Sequence, residues 1–199
     1  MKKLIKENFD SLNLFNELKL LTETQINAIA NGINWTIQNY SNAVLIGGSA
    51  VVYYLNKKRP LTPDIDFLVE DIELLKSKLD DVDILYRANR SGNIGLLGIS
   101  VEEFNADYLD SNVGNVNLNK LILKTFRNSK INNVNVRIIN PELLAIMKIE
   151  LGREKDMQDG FALFQSGLLN KESYLKYINI LKNNLNDYES LLSYAEMLK

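Results

Sequence analysis

Two stretches, VLIGGSA at residues 44–50 and TPDIDFLV at residues 62–69, carry most of the structural information in this sequence. The apolar run Ala43–Ile46 predicts a short buried strand that stops at Gly47 and Gly48. A strand that ends in two glycines and a serine, and then opens a helix, brings backbone N–H groups close to an anion. The same pattern is also common in simple turns, so by itself it indicates no function.

The second stretch contains an Asp-Ile-Asp sequence at the start of a predicted strand. Residues i and i+2 of a strand project from the same face, so Asp64 and Asp66 direct two carboxylates to one place. Carboxylates this close repel each other unless a cation lies between them. The alternative is a solvated strand edge, which the Gly-Gly-Ser turn one helix upstream makes less favourable.

The chain has no cysteine and no histidine among its 199 residues. This excludes disulfides, thiolate nucleophiles, Cys/His zinc sites and every catalytic triad that contains histidine. The cation between Asp64 and Asp66 is therefore expected to be a hard, oxygen-binding ion such as Mg²⁺ or Mn²⁺.

Together, the Gly-Gly-Ser turn, the short helix and the Asp-x-Asp strand resemble the DNA polymerase beta-like nucleotidyltransferase superfamily. The string from Arg59 to Asp66, Arg-x-x-Thr-x-Asp-Ile-Asp, is similar to the AbiEii-like toxin branch and its uncharacterised relatives. The resemblance covers about Val44 to Leu163. It implies an α/β (α+β) fold, with a mixed β-sheet flanked by helices and followed by a C-terminal helical subdomain.

The resemblance also implies a third carboxylate on a later strand. Asp107 is the best match, because it lies in the apolar run Asn105–Leu109 and could pair beside the Asp-x-Asp strand. Glu103 shares its strand face and is the second choice, whereas Asp110 falls on the opposite face. The alternative for Asp107 is an ordinary surface carboxylate.

By the same resemblance, Asp64, Asp66 and Asp107 form the catalytic and metal-binding set, with two ions per site. Asp64 and Asp66 would hold Mg²⁺ or Mn²⁺ against the triphosphate, and Asp107 would help to hold the second ion and activate the acceptor hydroxyl. Nucleotide binding is assigned to Gly47, Gly48, Ser49, Arg59, Thr62 and Lys148. Supporting roles fall to Arg153, Lys155, Asp156 and Asp159, the two aspartates orienting basic side chains or capping the site. The alternative for Lys148 is an exposed helix lysine, and the alternative for the aspartate pair is a solvated helix face.

Periodicity predicts the remaining elements. The expected helices are Thr22–Tyr40, Ser49–Asn56 and Ile72–Leu79, and the expected strands are Ile65–Val69, Ile84–Arg87, Ile94–Ile99 and Val101–Leu109. Leu121–Phe126 and Val134–Ile139 are expected to pair as a hairpin, and the asparagine-rich run Asn112–Asn119 to form turns. Asn140 and Pro141 predict a strong helix start. We therefore divide the chain into a nucleotidyltransferase α/β unit with N-terminal helices, residues 1–140, and a helical subdomain, residues 141–199, whose apolar stripe either packs on the core or forms a dimer.

Charge is unevenly distributed, although the net charge is only −2. Between Asp110 and Glu142 there is no acidic residue, and this interval contains Lys120, Lys124, Arg127, Lys130 and Arg137. The interval is either a solvated basic hairpin or a surface that faces phosphates. The absence of cysteine, of a signal peptide and of a long apolar run predicts a cytoplasmic protein with no membrane partner.

These features favour a metal-dependent enzyme that moves a nucleoside monophosphate from an NTP to a hydroxyl. The toxin-like resemblance implies an RNA acceptor, in particular a tRNA 3′ end, and an antitoxin protein as partner. One alternative is a small-molecule acceptor, as in antibiotic-modifying relatives. Another is a module of the same fold that binds a nucleotide or a partner without turnover.

Overall fold

A mixed β-sheet lies at the centre of the computed structural model, which describes residues 23–55, 64–77, 85–88, 95–101, 104–131 and 134–198. Within those residues the sheet has seven strands in the order β3-β4-β5-β2-β1-β7-β6. The pairs β2/β5 and β1/β7 are parallel, and the other neighbours are antiparallel. The strands are β1 Val44–Leu45, β2 Asp64–Val69, β3 Leu85–Ala88, β4 Leu96–Val101, β5 Phe104–Asp110, β6 Arg127–Ile131 and β7 Val134–Ile138.

Helices cover the sheet and form the C-terminal part of the chain. They are α1 Glu23–Asn39, α2 Gly47–Tyr54, α3 Ile72–Ser77, α4 Val116–Thr125, α5 Pro141–Leu151, α6 Glu154–Gln165, α7 Lys171–Leu181 and α8 Tyr188–Tyr194, with 3₁₀ turns at Lys182–Asn184 and Ala195–Met197. No helix of the described residues is both long and apolar enough to cross a membrane.

The apolar core lies against the two central parallel strands. The rings of Phe67 on β2 and Tyr108 on β5 stack with their centroids 5.5 Å apart. The Tyr108 hydroxyl is 2.7 Å from the Thr36 hydroxyl, which attaches α1 to the sheet. Burial raises the pKa of Tyr108, so this hydroxyl stays protonated and keeps its hydrogen bond at neutral pH.

The predicted α/β (α+β) architecture is confirmed, and with it the strand–turn–helix–strand order around Gly47 and Asp66. The bounds shift slightly: the first strand narrows to Val44–Leu45, and the helix after it already begins at Gly47. The helix expected from Thr22 is observed from Glu23. Residues 56–63, including the predicted end of that second helix at Lys57–Pro60, lie outside the described part.

The predicted hairpin was wrong in its first strand. Leu121–Thr125 belongs to α4, and β7 pairs instead with Arg127–Ile131, the polar and largely exposed edge strand. The continuous apolar run from Leu121 resembled a strand, but Leu118 and Ile122 are both buried and lie one helical turn apart. The expectation that all of Asn112–Asn119 forms turns was wrong as well. The Asn115 side chain accepts a hydrogen bond from Leu118 N at 3.1 Å and begins the helix there.

Asn140 and Pro141 do begin α5, as predicted, but the Asn140 side chain does not cap it. Its amide donates instead to the Thr125 carbonyl, and its oxygen accepts from Arg127 Nε at 2.8 Å. Asn140 therefore connects the end of α4 and the start of β6 to α5.

Helices α5 and α6 pack closely because α6 carries a glycine at the contact. A Cβ on Gly160 would lie 2.8 Å from Ile149 Cδ1, so a larger residue there would require the end of the Ile149 side chain to shift. The predicted C-terminal stripe is interrupted by the 3₁₀ turn Lys182–Asn184 and packs on the chain's own core, where its buried members are Tyr174, Ile178, Leu181 and Ala195. Leu192, which the pattern also placed in the stripe, is exposed, and Leu191 is buried instead. The division of the chain at residue 140 stays a prediction, and one apolar cluster contains residues from both sides of it.

Candidate active site

The parallel pairing of β2 and β5 brings the predicted carboxylates together. Asp66 is the direct partner of Asp107, and Asp64 is the partner of Asn105. Directly paired residues of neighbouring strands lie about 4.8 Å apart in the sheet and project to the same face. The register therefore places Asp107 beside Asp66, on the face that Asp64 shares.

The glycine turn lies directly against Asp66. Gly48 N donates to Asp66 Oδ2 at 3.0 Å. Gly47 has φ 59°, a left-handed conformation that costs an L-residue about 1–2 kcal/mol. A Cβ on Gly47 would lie 2.0 Å from Asp66 Oδ2, so only glycine leaves room for this carboxylate. The turn thus binds an anion in the structure, and that anion is a carboxylate of the same chain.

Ser49 follows in the first turn of α2 and is only 4% exposed. Within the described part of the chain, its hydroxyl is the one buried side-chain polar atom that finds no hydrogen-bond partner. Burying a hydroxyl without a hydrogen-bond partner destabilises the folded protein, and a bound ligand that accepts its hydrogen bond would remove this cost. The Ser49 hydroxyl is therefore the donor that this turn leaves unpaired, whereas Gly48 N–H is taken by Asp66.

A cavity of about 980 Å³ lies over this face of the sheet. Its walls come from the glycine turn, β2, β5, the first turn of α4, the end of α5, the start of α6, and the segment between α7 and α8. Of the predicted site residues, those that line it are Gly47, Gly48, Asp66, Asp107, Lys148, Arg153, Lys155 and Asp156.

Lys148 is not an exposed helix lysine, since it is only 3% exposed. Its ammonium is 2.6 Å from Asp156 Oδ1 and 3.1 Å from Asp159 Oδ2. Arg153 also contacts Asp156, through Nε. Asp156 and Asp159 therefore both contact a basic side chain, whereas Lys155 is exposed at the cavity and has no ion-pair partner among the described residues.

The charge of Asp156 is maintained despite its complete burial. Burial alone would raise the pKa of this carboxyl, but the hydrogen bonds and charges of Lys148 and Arg153 outweigh it and hold the pKa below its usual 3.8. At neutral pH the cluster therefore contains a carboxylate that holds the Lys148 ammonium at the cavity wall.

Several predicted residues lie outside the described part of the chain. These are Arg59, Thr62 and Glu103, together with the side chain of Asp64, whose backbone belongs to β2.

The donors that are described can be compared with the needs of a metal ion. Among the described side chains, no group of three carboxylates is placed to hold one, and the predicted group includes the undescribed side chain of Asp64. Asp66 and Asp107 lie side by side on the cavity and offer the oxygen donors that hard divalent cations prefer. The donor chemistry therefore fits Mg²⁺ or Mn²⁺.

Sequence reasoning missed one wall of the cavity. Asn115, Asn117, Glu150, Asn184 and Asn186 line it. The sequence pattern predicts turns at Asn115 and Asn117 and a helix at Asn184 and Asn186, and the last 30 residues match no motif. Spacing could not have revealed this wall, because residues 184–186 reach the cavity only through the packing of α7 and α8.

A family model identifies the chain as a nucleotidyl transferase, and the mixed sheet with the Gly-Gly turn on Asp66 and with Asp107 paired beside it is consistent with that class. Its family is the one described as "Nucleotidyl transferase of unknown function (DUF2204)", whose model matches residues 25–190, and the chain belongs to that family. The AbiEii-like branch is not confirmed and stays a prediction. A comparison with curated proteins finds no match.

Solved structures support the same fold. An antigenic nucleotidyltransferase-like protein from Paracoccidioides brasiliensis is 15% identical with a TM-score of 0.53, and the alignment covers 90% of this chain and 96% of that one. The antibiotic-resistance factor ANT(2'')-Ia is 12% identical with a TM-score of 0.54, and the alignment covers 88% and 99%. At these identities the likeness establishes the fold, and the residue roles must be argued from the site itself.

Proposed function

We propose that this nucleotidyltransferase moves a nucleoside monophosphate from an NTP to a hydroxyl acceptor, with Asp64, Asp66 and Asp107 as the carboxylates that hold divalent cations. The observation that carries the proposal is the register of β2 and β5, which sets Asp107 beside Asp66. Asp66 in turn accepts a hydrogen bond from the Gly47–Gly48 turn. The substrate is an NTP because the same cavity also presents cationic side chains to a polyphosphate, among them Lys148 and Lys155.

The chain's own residues would bind and orient the triphosphate. The Ser49 hydroxyl, which has no partner among the described residues, would donate to a phosphate oxygen, whereas Gly48 N–H would hold the Asp66 carboxylate in place. Lys148 has three N–H donors and uses two of them on Asp156 and Asp159, which leaves one for the triphosphate. When bound, Mg²⁺ or Mn²⁺ would stabilise negative charge on the attacking and leaving oxygens.

Asp107 is the proposed base. It would accept the proton of the acceptor hydroxyl, whose oxygen then forms a bond to the α-phosphorus. The bond from that phosphorus to the bridging oxygen breaks, and pyrophosphate leaves with the electron pair. Positioning and electrostatics supply most of the catalysis in such reactions, so the lack of histidine is no obstacle.

RNA is the proposed acceptor, in particular a tRNA 3′ end. Lys120, Lys124 and Lys130 are exposed in an interval without acidic residues, which favours a polyanion. The toxin-like activity, an antitoxin partner and a cytoplasmic location rest on the sequence resemblance and composition alone. A small-molecule acceptor is the second candidate, because a cavity of about 980 Å³ is large enough for a nucleotide and a small acceptor together.

The decisive experiment incubates the protein with each α-labelled NTP, Mg²⁺ and total cellular RNA, and then follows the label. We expect label in RNA, no transfer after chelation of the metal, and no transfer by Asp64→Asn or Asp66→Asn. Asp71→Asn makes the same chemical change at an exposed position just after β2 and should leave transfer intact.

Full activity of both Asp64→Asn and Asp66→Asn would contradict the carboxylate assignment. Label in a small molecule but not in RNA would establish the second candidate. Metal-dependent NTP binding without pyrophosphate release, over a broad set of acceptors, would instead show a binding module without turnover.

A further inference from the structure

The wall of the cavity formed by residues 184–186 is held from two other elements. After the 3₁₀ turn Lys182–Asn184, the backbone at Leu185 is extended, and α8 begins only at Tyr188. Asn186 N donates to both carboxylate oxygens of Glu150 on α5, at 3.1 and 3.0 Å. The Asn184 carbonyl accepts from Asn115 Nδ2 at 2.8 Å. This segment is therefore attached to the cavity by specific side chains.

Asn115 positions two walls of the cavity with one side chain. Its oxygen caps α4 by accepting from Leu118 N, and its amide donates to Asn184. The first turn of α4, with Asn117, is thereby fixed relative to the segment that contains Asn186. The two walls come from distant parts of the sequence.

Two carboxamides on these walls are available to a ligand. Asn117 and Asn186 both line the cavity, both are exposed, and neither side chain has a hydrogen-bond partner within the described residues. A carboxamide is neutral and offers two donors and one acceptor. Apolar side chains of Val116, Leu118 and Leu151 line the same cavity.

This combination suits a nucleobase better than a phosphate. Charged phosphates are matched by cations, which the cavity supplies at Lys148 and Lys155. A base edge is matched by paired donors and acceptors, as when an asparagine binds adenine in nucleic acid recognition, and its ring faces are matched by apolar side chains.

We propose that Asn117 and Asn186 form the subsite that reads the nucleobase of the NTP, with Asn115 and Glu150 as positioning residues. The inference rests on the proposed function, because it presumes that the cavity takes an NTP. On this proposal, the hydrogen bonds of these two asparagines determine which of the four nucleotides binds most tightly.

The test measures binding of the four non-hydrolysable NTP analogues by calorimetry in the presence of Mg²⁺, with inorganic tripolyphosphate as a probe that has no base. We expect Asn117→Ala and Asn186→Ala each to weaken binding of the preferred nucleotide by about fivefold, the value of one neutral hydrogen bond, and to reduce discrimination among bases. Tripolyphosphate should bind as in the wild type. Asn183→Ala, the same change at an exposed neighbour outside the cavity, should alter neither.

A second variant separates positioning from simple stability. Asn115→Ser keeps an oxygen to cap α4 but has no N–H for the Asn184 carbonyl and adds no charge to the cavity, so the melting temperature should stay close to that of the wild type while base discrimination falls. Asn115→Ala is expected to lose stability in addition.

Four results would overturn the inference. In the first, the alanine variants at Asn117 and Asn186 lose NTP affinity and tripolyphosphate affinity equally, and in the second both variants keep wild-type affinities. In the third, the wild-type protein binds the four NTP analogues equally well. In the fourth, the alanine variants bind NTP normally but have a raised KM for the acceptor. The last result would place the carboxamides at the acceptor. Failure of the proposed function gives a different result, namely a wild-type protein that binds neither NTP nor tripolyphosphate.

Discussion

At the scale of single residues, the contact between Gly47 and Asp66 determines the geometry of the site. The carboxylate lies where a side chain on Gly47 would be, and it accepts the N–H of Gly48. The glycine therefore serves both the backbone conformation of the turn and the position of a proposed metal ligand.

Gly47→Ala should abolish transfer, because its Cβ would displace the Asp66 carboxylate in addition to straining the backbone. Gly167→Ala is a matched control, since Gly167 also has positive φ, at 75°, but has no atom within 4 Å of a built Cβ. Both variants should lose about 1–2 kcal/mol of stability from the left-handed backbone, and only Gly47→Ala should lose activity. Initial rates and urea unfolding of the two proteins test this, and an active Gly47→Ala enzyme would contradict it.

At the scale of elements, the pair α5 and α6 combines an apolar contact at Gly160 with the buried charges of Lys148, Asp156 and Asp159. Removing Lys148 takes a buried cation from Asp156 and Asp159, and Asp156 then keeps Arg153, which is exposed, so the loss of the buried cation costs more than the intact cluster contributes. The cluster is thus expected to hold the two helices in one relative position at the cavity.

Lys148→Met should destabilise the protein by about 3–5 kcal/mol at pH 7, as measured by urea unfolding. Because the folded pKa of Asp156 is held below 3.8, its contribution is present above that pH and is lost as the pH falls through the folded pKa. The difference between wild type and Lys148→Met should therefore shrink in acid. Lys176→Met, at an exposed position on α7, should show no such dependence. A difference that is constant from pH 7 to pH 3 would contradict the assignment of Lys148 as the stabilising partner of Asp156.

Helices and strands could be predicted from the sequence where the signal lies within a few neighbouring residues. The helix start at Asn140–Pro141 and the strand at Asp64–Val69 follow from residue types and short-range periodicity. The strand expected at Leu121–Phe126 was wrong because a short apolar run fits a strand and a helix equally well. The segment is helical because Asn115 caps its N-terminus and because Leu118 and Ile122, one helical turn apart, are both buried.

At the scale of the whole molecule, the net charge of −2 does not reflect the uneven distribution of charge, because the interval between Asp110 and Glu142 has five basic residues and no acidic one. Two of these basic side chains already have partners within the protein. Arg127 contacts Asn140 and Glu142, and Arg137 lies over the Phe126 ring and donates to Asn42. Lys120 and Lys124 lie one turn apart on the exposed face of α4 and have no ion-pair partner among the described residues. They are the best placed to contact phosphates of an acceptor.

RNA binding should weaken steeply as the salt concentration rises. Each phosphate that a lysine neutralises on a single strand adds about 0.7 to the slope of log K against log salt. The double variant Lys120→Gln, Lys124→Gln should therefore reduce that slope by about 1.4. Lys176→Gln removes one exposed charge from α7 and should leave the slope unchanged. Filter binding from low to high salt measures both slopes. Affinity for RNA that does not change with salt would remove RNA as the acceptor.

The sequence by itself determined the Gly47–Gly48 turn, the Asp64-x-Asp66 strand and the exclusion of cysteine and histidine chemistry, because these depend on residue types and on spacing within a few residues. Only the tertiary structure decided that Asp107 is the neighbour of Asp66, that Lys148 lies between Asp156 and Asp159, and that residues 184–186 close one side of the cavity. Strand register and helix packing are set by burial of apolar surface over the whole core. Contacts between distant residues therefore exist only once the core has formed.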